Sequence, residues 1–343
     1  MKKISILIAS IILSLLLSGC TIGQKNEEHV SYVYAMDTVM TLTAYGDDSV
    51  ETALGNVSGA IESLDKLISV TDENSEIYKL NANSDVSATL SDETAEIISR
   101  ALELCKSTNG TLDISIYPVV RAWGFTTGSY QVPAYNDLMS LLRKVDYSKI
   151  ILDGNTITLD PGMQIDLGSV AKGYVGDVAA KILEDAGVKS AVLNLGGNVR
   201  AIGSNTDGNP WRVGVQDPLD NSKYFGVISV TDKSVITSGG YNRYFEEDGK
   251  TYWHIIDPAT GYPADNGVIS ATIIGDDGLK CDGLSTATFI MGVNKAFDYW
   301  RQTGGFDMLL VTKNGHIYIT PGLEDSFELL PSYASEYTVE VVN

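Results

Sequence analysis

The stretch from Ser238 to Pro263, SGGYNRYFEEDGKTYWHIIDPATGYP, gathers paired glycines, aromatics, an arginine, a histidine and an aspartate in one short run. Gly239 and Gly240 let a backbone approach a ligand closely or turn with positive φ, and Tyr241, Tyr244, Phe245, Tyr252 and Trp253 offer flat faces to a planar group. Together they describe the wall of a pocket for something aromatic and charged. The run also reads as a β-hairpin with Glu246-Glu247-Asp248-Gly249 at its tip, and a hairpin can form one wall of a site.

Asp282 and Thr286, in CDGLSTATF, are four apart, so on a helix both oxygens project from one face. A carboxylate and a hydroxyl suit a hard cation such as Mg²⁺, which takes one or two protein oxygens and completes its shell with water and phosphate. An aspartate near a helix start, followed by Ser285 and Thr286, serves equally as cap and packing, and the spacing leaves both open. Ile165 to Asp177, IDLGSVAKGYVGD, reads as a strand passing through a glycine turn into a helix that opens around Ser169, with Lys172 in its first turn. Free amide donors, the positive end of the helix dipole and an ammonium make an anion site suited to phosphate. A lysine lying along the helix surface gives the same sequence. Asp166, just before the helix, is placed to cap it or to hold a ligand hydroxyl or ring nitrogen. Ser169-Val170-Ala171-Lys172 also spells the S-x-x-K of penicillin-recognising serine enzymes, but the nearest counterpart of their Lys-Thr-Gly strand is Ala259-Thr260-Gly261, which lacks the lysine.

These residues need elements to position them. Val30 to Tyr45 alternates like a strand, and Val50, Leu54, Val57, Ile61, Leu64 and Ile68 then recur at helical spacing. Ser91 to Asn109 reads as a helix capped by Ser91 and stopped at Gly110, and Ile150 to Leu159 as a hairpin turning at Asp153-Gly154. Helices follow at Ser169 to Ala186, Asp282 to Met291 and Lys295 to Thr303, interspersed with strands near Val192, Val213, Val227, Val235, Ile255, Ile269 and Met308. The mixed order predicts an α+β fold with largely antiparallel sheets and packed helices, not a doubly wound parallel sheet. No G-x-G-x-x-G or P-loop is present, which speaks against the usual nucleotide folds.

The chain's 343 residues suffice for a single domain with two lobes. Lys2 and Lys3, the mostly apolar run Ile4 to Leu17, and Leu17-Ser18-Gly19-Cys20 read as a lipoprotein signal peptide over residues 1–19, with Cys20 the lipidated first mature residue. The apolar run is shorter than the roughly 20 residues a bilayer-spanning helix needs. A polar tether over 20–29 would then hold the domain, 30–343, outside the cytoplasm on the cell membrane. The net charge of −20 makes nucleic acid a poor partner and obliges any anionic ligand to bind through local donors or a bound cation. Beyond Cys20 only Cys105 and Cys281 remain, with no Cys-x-x-Cys and too few for a disulfide scaffold. His29, His254 and His316 are the only histidines, so a multi-histidine zinc site lacks ligands.

Met36-Asp37-Thr38, LDISIYPVVRAWGF (112–125), IDLGSVAKGYVGD (165–177), NLGGNV (194–199), WRVGVQDP (211–218), the run at 238–263 and CDGLSTATF (281–289) together resemble the ApbE family, the FAD:protein FMN transferases. The resemblance implies an ApbE-like, T-fold-related domain that moves FMN from FAD to a threonine, or sometimes a serine, of an acceptor flavoprotein, releasing AMP. It implies Mg²⁺ on Asp282 and Thr286, with Ser285 nearby and the Ser169 backbone as a further ligand. It places Met36, Ala122, Trp123, Gly124, Asp166, Lys172 and Ile256 against FAD, and suggests an electron-transfer subunit or an extracellular flavoprotein as acceptor. Cutting a pyrophosphate needs charge neutralisation, which Mg²⁺ and Lys172 supply, and a base near the incoming hydroxyl. His254 is the candidate, with Asp257 to orient it; a histidine bonded within the hairpin is the competing reading. Asp37 stands where the family has the glycine of Met-Gly-Thr, Ser169 replaces the second glycine of Gly-Gly, and Thr71 takes the place of a flavin-side aromatic. These departures leave hydrolysis of FAD to FMN and AMP as an alternative, beside an S-x-x-K acyl enzyme and a non-catalytic flavin-binding lipoprotein.

Overall fold

The computed structural model describes residues 26–83 and 86–343. The expected signal peptide at 1–19 and the lipidation site Cys20 lie outside the described residues. Where it is described, the polar stretch expected as a tether up to residue 29 is already strand: β1 (Glu27–Ala35) pairs Glu27, Glu28 and His29 with Gly46, Tyr45 and Ala44 of β2 (Thr38–Gly46). Val30 to Tyr45 is therefore a hairpin and not one strand. Its turn is Met36-Asp37, both in the left-handed region at φ 51 and 59. That is the geometry of a type I′ turn, which Asn-Gly normally announces, so the sequence concealed the bend.

Three helices follow: α1 (Ser49–Ile68), α2 (Glu76–Ala82) and, past the short β3 (Ala88–Thr89), α3 (Asp92–Ser107), which Ser91 caps by accepting the Thr94 N–H. The chain continues through α4 (Tyr117–Ala122), α5 (Tyr135–Leu142), the hairpin of β4 (Ile151–Asp153) and β5 (Thr156–Thr158), and α6 (Ala171–Asp185). A run of strands comes next: β6 (Ser190–Asn194), β7 (Val199–Gly203), β8 (Trp211–Gln216), β9 (Tyr224–Val230) and β10 (Ser234–Gly239). The hairpin expected in the 238–263 run is β11 (Tyr244–Glu247) and β12 (Lys250–Trp253), turning at Asp248-Gly249. After β13 (Val268–Gly275) comes α7 (Gly278–Thr303), then β14 (Asp307–Thr312), β15 (His316–Ile319), β16 (Phe327–Leu329) and β17 (Thr338–Val341).

Nine strands build the main sheet in the order β1-β2-β6-β7-β10-β13-β14-β15-β17, antiparallel except where β15 meets β17. Alternation of side chains gives this sheet two apolar faces. Ile236, Ala271, Ile273, Met308 and Leu310 enter a core shared with α1, α6 and α7. Their neighbours Val235, Ile274, Leu309 and Val311 meet Val213, Phe225 and Ile228 of a three-stranded sheet, β16-β9-β8. The chain is thus of the α+β class, with largely antiparallel sheets. The helices expected at Asp282 to Met291 and Lys295 to Thr303 are both present within α7, which is started by the Asp277 side chain accepting the Lys280 N–H at 2.9 Å and broken between them at Gly292, whose φ 74 and ψ 171 are not helical. The Asn266 amide donates to the carbonyls of Phe289 and Ile290 at 2.9 and 2.8 Å, satisfying acceptors next to the bend.

Candidate active site

A cleft of about 520 Å³ opens where the β1–β2 turn, the start of α6, the end of β10, the segment after β12 and the first turns of α7 converge. Asp282 and Thr286 share one face of α7 and both line it. Asp282 is only 6 % exposed. Its Oδ2 accepts the Gly173 N–H at 2.9 Å and its Oδ1 accepts from the Asn198 amide at 3.0 Å. Burial outweighs the attraction of Lys172 and these bonds, and pushes the carboxyl up to about 6. Gly173 permits this approach: a Cβ there would strike the Gly278 carbonyl and come within 2.8 Å of Asp282 Cβ. Ser285 is fully buried beneath the cleft, donating to the Asp282 carbonyl at 2.8 Å and bonding Ser238 Oγ at 2.7 Å, while Ser238 Oγ also lies 3.2 Å from Thr286 Oγ1. Ser285 therefore supports the neighbouring hydroxyls and does not itself face the cleft.

The donor set decides which cation would fit. Among the described residues no group of three or more His, Cys, Asp or Glu could hold a metal. One buried carboxylate without an ion-pair partner, a hydroxyl, and the main chain at Ser169 beside them make an all-oxygen set, suited to a hard cation that keeps water and ligand oxygens in its shell, and unsuited to zinc. Burial is what raises this carboxyl, and a cation held beside it would offset that cost.

Beside α7, Ser169 and Lys172 line the cleft, Lys172 in the first turn of α6. Asp166 also lines it; its Oδ1 accepts the Gly168 N–H at 2.7 Å, and burial raises its pKa against that bond and the pull of Arg243. The carboxylate thus shapes the Gly168 turn but does not cap α6, whose N-cap is Val170 with no side-chain bond.

His254 faces the same space. The Arg243 carbonyl accepts its backbone N–H at 3.1 Å and lies 3.2 Å from Nδ1. A carbonyl only accepts, so Nδ1 carries the proton and a neutral ring presents the Nε2 lone pair. Burial first, then the positive charge of Arg243, pulls the imidazole down to about 4, so it is neutral at physiological pH. Asp257 does not orient it. Its carboxylate accepts the Ala259 N–H at 2.9 Å and its carbonyl the Gly261 N–H at 2.8 Å, closing the turn that follows. The orienting group is the Arg243 main chain, because His254 folds back on its cross-strand neighbour just beyond the Tyr244–Trp253 pair.

Met36 and Ile256 line the cleft, whereas Ala122, Trp123 and Gly124 stand behind its wall. Trp123 is 0 % exposed and donates from its indole to the Gly261 carbonyl at 2.8 Å. Its ring packs 5.2 Å from Tyr252 and 6.3 Å from Phe245. Phe125 is the aromatic of that segment that reaches the space. The aromatics of the 238–263 run likewise serve packing: Phe245 and Tyr252 join the Trp123 cluster, and Trp253 meets Phe289 edge-on at 6.4 Å. Sequence reasoning passed over Arg243, Asn198 and Ser238, each at the cleft. Arg243 lay within a run already singled out, whose other basic residue is Lys250 at the hairpin tip.

A cleft that joins a buried carboxylate, hydroxyls, a helix-start lysine and a neutral histidine on this antiparallel scaffold is that of an enzyme. Residues 36–310 match the model of the ApbE family, and the chain belongs to that family. A protein of Klebsiella pneumoniae (strain 342) named FAD:protein FMN transferase is 33 % identical over 290 residues, covering 83 % of this chain and 89 % of its own. One of the same name from Haemophilus influenzae is 30 % identical over 334 residues, 92 % of this chain and 96 % of its own. The crystal structure of the ApbE protein from Thermotoga maritima superposes with a TM-score of 0.79 at 28 % identity, over 91 % of this chain and all of that one. The flavin transferase ApbE from Vibrio cholerae gives 0.77 at 27 % identity, over 89 % and 96 %. The match spans Ser169 and Lys172, so the S-x-x-K pattern belongs to this scaffold and the acyl-enzyme reading loses its basis.

Proposed function

We propose that the protein transfers FMN from FAD to a threonine or serine hydroxyl of an acceptor flavoprotein, with Mg²⁺ bound by Asp282 and Thr286 and with AMP released. The observation that carries this reading is the buried Asp282 carboxylate, fixed by the Gly173 N–H and the Asn198 amide, lining one cleft with Thr286, Ser169 and Lys172. The names of the relatives support the flavin chemistry.

In the reaction, the acceptor hydroxyl oxygen forms a bond to the FMN-side phosphorus while the bond from that phosphorus to the bridging oxygen breaks, and AMP leaves with that oxygen. His254 Nε2 takes the hydroxyl proton, held in register by the bond from Nδ1 to the Arg243 carbonyl. Lys172 and the start of α6 hold the phosphoryl oxygens. Asn198 and the Gly173 N–H fix the Asp282 carboxylate so that Asp282 and Thr286, with the Ser169 main chain, would hold the cation. Bound there, Mg²⁺ supplies charge neutralisation on the transferring phosphoryl group. The N-terminal pattern supports a location outside the cytoplasm, with the protein anchored to the membrane through Cys20 and an electron-transfer subunit or another extracellular flavoprotein as acceptor.

The test is to incubate the protein with FAD, Mg²⁺ and a candidate acceptor subunit and to map the acceptor by mass spectrometry. An FMN increment on a threonine or serine, stoichiometric with AMP, is expected. Tight FAD binding with neither product would leave a flavin-binding protein instead.

A further inference from the structure

The cleft is short of positive charge for the ligand proposed. Its lining holds five aspartates, Asp37, Asp65, Asp113, Asp166 and Asp282, against Lys172 and Arg243 as its basic residues. Arg243 is engaged but weakly: Nη2 lies 3.6 Å from Asp37 Oδ2, and Nη1 donates to the Phe125 carbonyl at 3.3 Å. The two side chains are 41 % and 78 % exposed, a solvated pair of the kind that contributes little and is readily exchanged. A phosphate offers the guanidinium a forked, doubly charged partner that a single carboxylate at 3.6 Å does not. Asp37 is also an unusual occupant of its place, since the left-handed second position of such a turn favours glycine. Its presence there sets a carboxylate at the mouth of the cleft.

We propose that Arg243 is a second cation for the phosphates of the dinucleotide, held aside in the free protein by Asp37, so that binding exchanges a carboxylate partner for a phosphate. This assignment rests on the reading of FAD as substrate. It also couples binding to the base: Arg243 is one of the charges that keep His254 from accepting a proton, and a phosphate on the guanidinium offsets that charge once substrate is in place.

The experiment is calorimetric titration of the full chain with FAD, and in parallel with riboflavin, which lacks phosphate, in Mg²⁺ and with no acceptor protein present. Asp37→Asn tightens FAD about threefold, the scale of an exposed ion pair. Arg243→Gln weakens FAD about tenfold or more, the scale of a charged hydrogen bond, and leaves riboflavin unchanged. Arg243→Lys, which keeps the charge, falls between, and Asp37→Asn adds nothing in the Arg243→Gln background. An unchanged FAD affinity in Asp37→Asn, or equal loss of riboflavin and FAD in Arg243→Gln, overturns the assignment. Failure of the wild type to bind FAD sinks both the substrate reading and this assignment, whereas wild-type binding with indifferent variants sinks the assignment alone.

Discussion

His254 and Asp257 show how neighbouring residues of apparently catalytic type divide into chemistry and architecture. The tautomer that exposes Nε2 is set by a main-chain carbonyl, so His254→Ala should lower transfer by about a hundredfold or more, the scale of a lost general base, while FAD affinity holds. Asp257→Ala, which opens only a turn, should cost about 1 kcal/mol of stability and leave the pH profile of transfer in place. Unchanged kinetics in the first variant, or a lost low-pH limb in the second, would reverse the roles. The histidine also leaves a stability signature. Its folded value of about 4 lies below the ordinary 6.5, so below pH 6.5 the unfolded chain takes a proton that the folded ring refuses. Its contribution to stability is complete above pH 6.5 and is lost as pH falls towards 4; in His254→Gln the part of the slope it causes should disappear from Tm measured across that window.

Among the elements, α6 and α7 meet through glycine, and the meeting sets the position of Asp282. Gly173→Ala puts a methyl against the Gly278 carbonyl and the Asp282 side chain. Overpacking of this kind costs about 1–3 kcal/mol, and activity should fall further than the change in Tm accounts for, because the carboxylate shifts with the helix. A variant as stable and active as the wild type would show that the contact is dispensable. Gly292→Ala, at the bend with φ 74 and within 3.3 Å of Asn266 Cβ, should lower stability without touching FAD binding. The elements were largely legible because α1 and α3 carry apolar residues at helical spacing and Ser91 and Gly110 bracket α3. Two things were not. The Met36-Asp37 turn reads as strand because nothing in a Met-Asp pair signals positive φ. The aromatics of β11 and β12 read as ligand surface because a sequence does not say which face of a hairpin finds a core. In the site, Asp282, Thr286 and Lys172 were legible by spacing, whereas the bonds of Asp257 and Arg243 depend on which strands come to lie side by side.

At the scale of the molecule, one sheet carries two cores and leaves the cleft along the edge of the helical layer. Cys105 and Cys281 are free and buried in the first of these cores; burial pushes the Cys105 thiol up to about 12 and the Cys281 thiol up as well. Both should resist a thiol reagent until the chain unfolds, and a reductant should leave Tm unchanged; a reductant-sensitive Tm would reveal a bridge that the fold does not contain. The strongly acidic chain, at net charge −20, binds an anion only where positive charge is concentrated, which makes the cation proposed for Asp282 and Thr286 the centre of the account. The most direct measurement is AMP released from FAD in the presence of an acceptor flavoprotein as Mg²⁺ is titrated, in the wild type and in the Asp282→Asn, Thr286→Val double variant. AMP should appear with saturating dependence on Mg²⁺ in the wild type, vanish with chelator, and be absent from the variant at every concentration; release that ignores both the chelator and the double substitution would contradict the account.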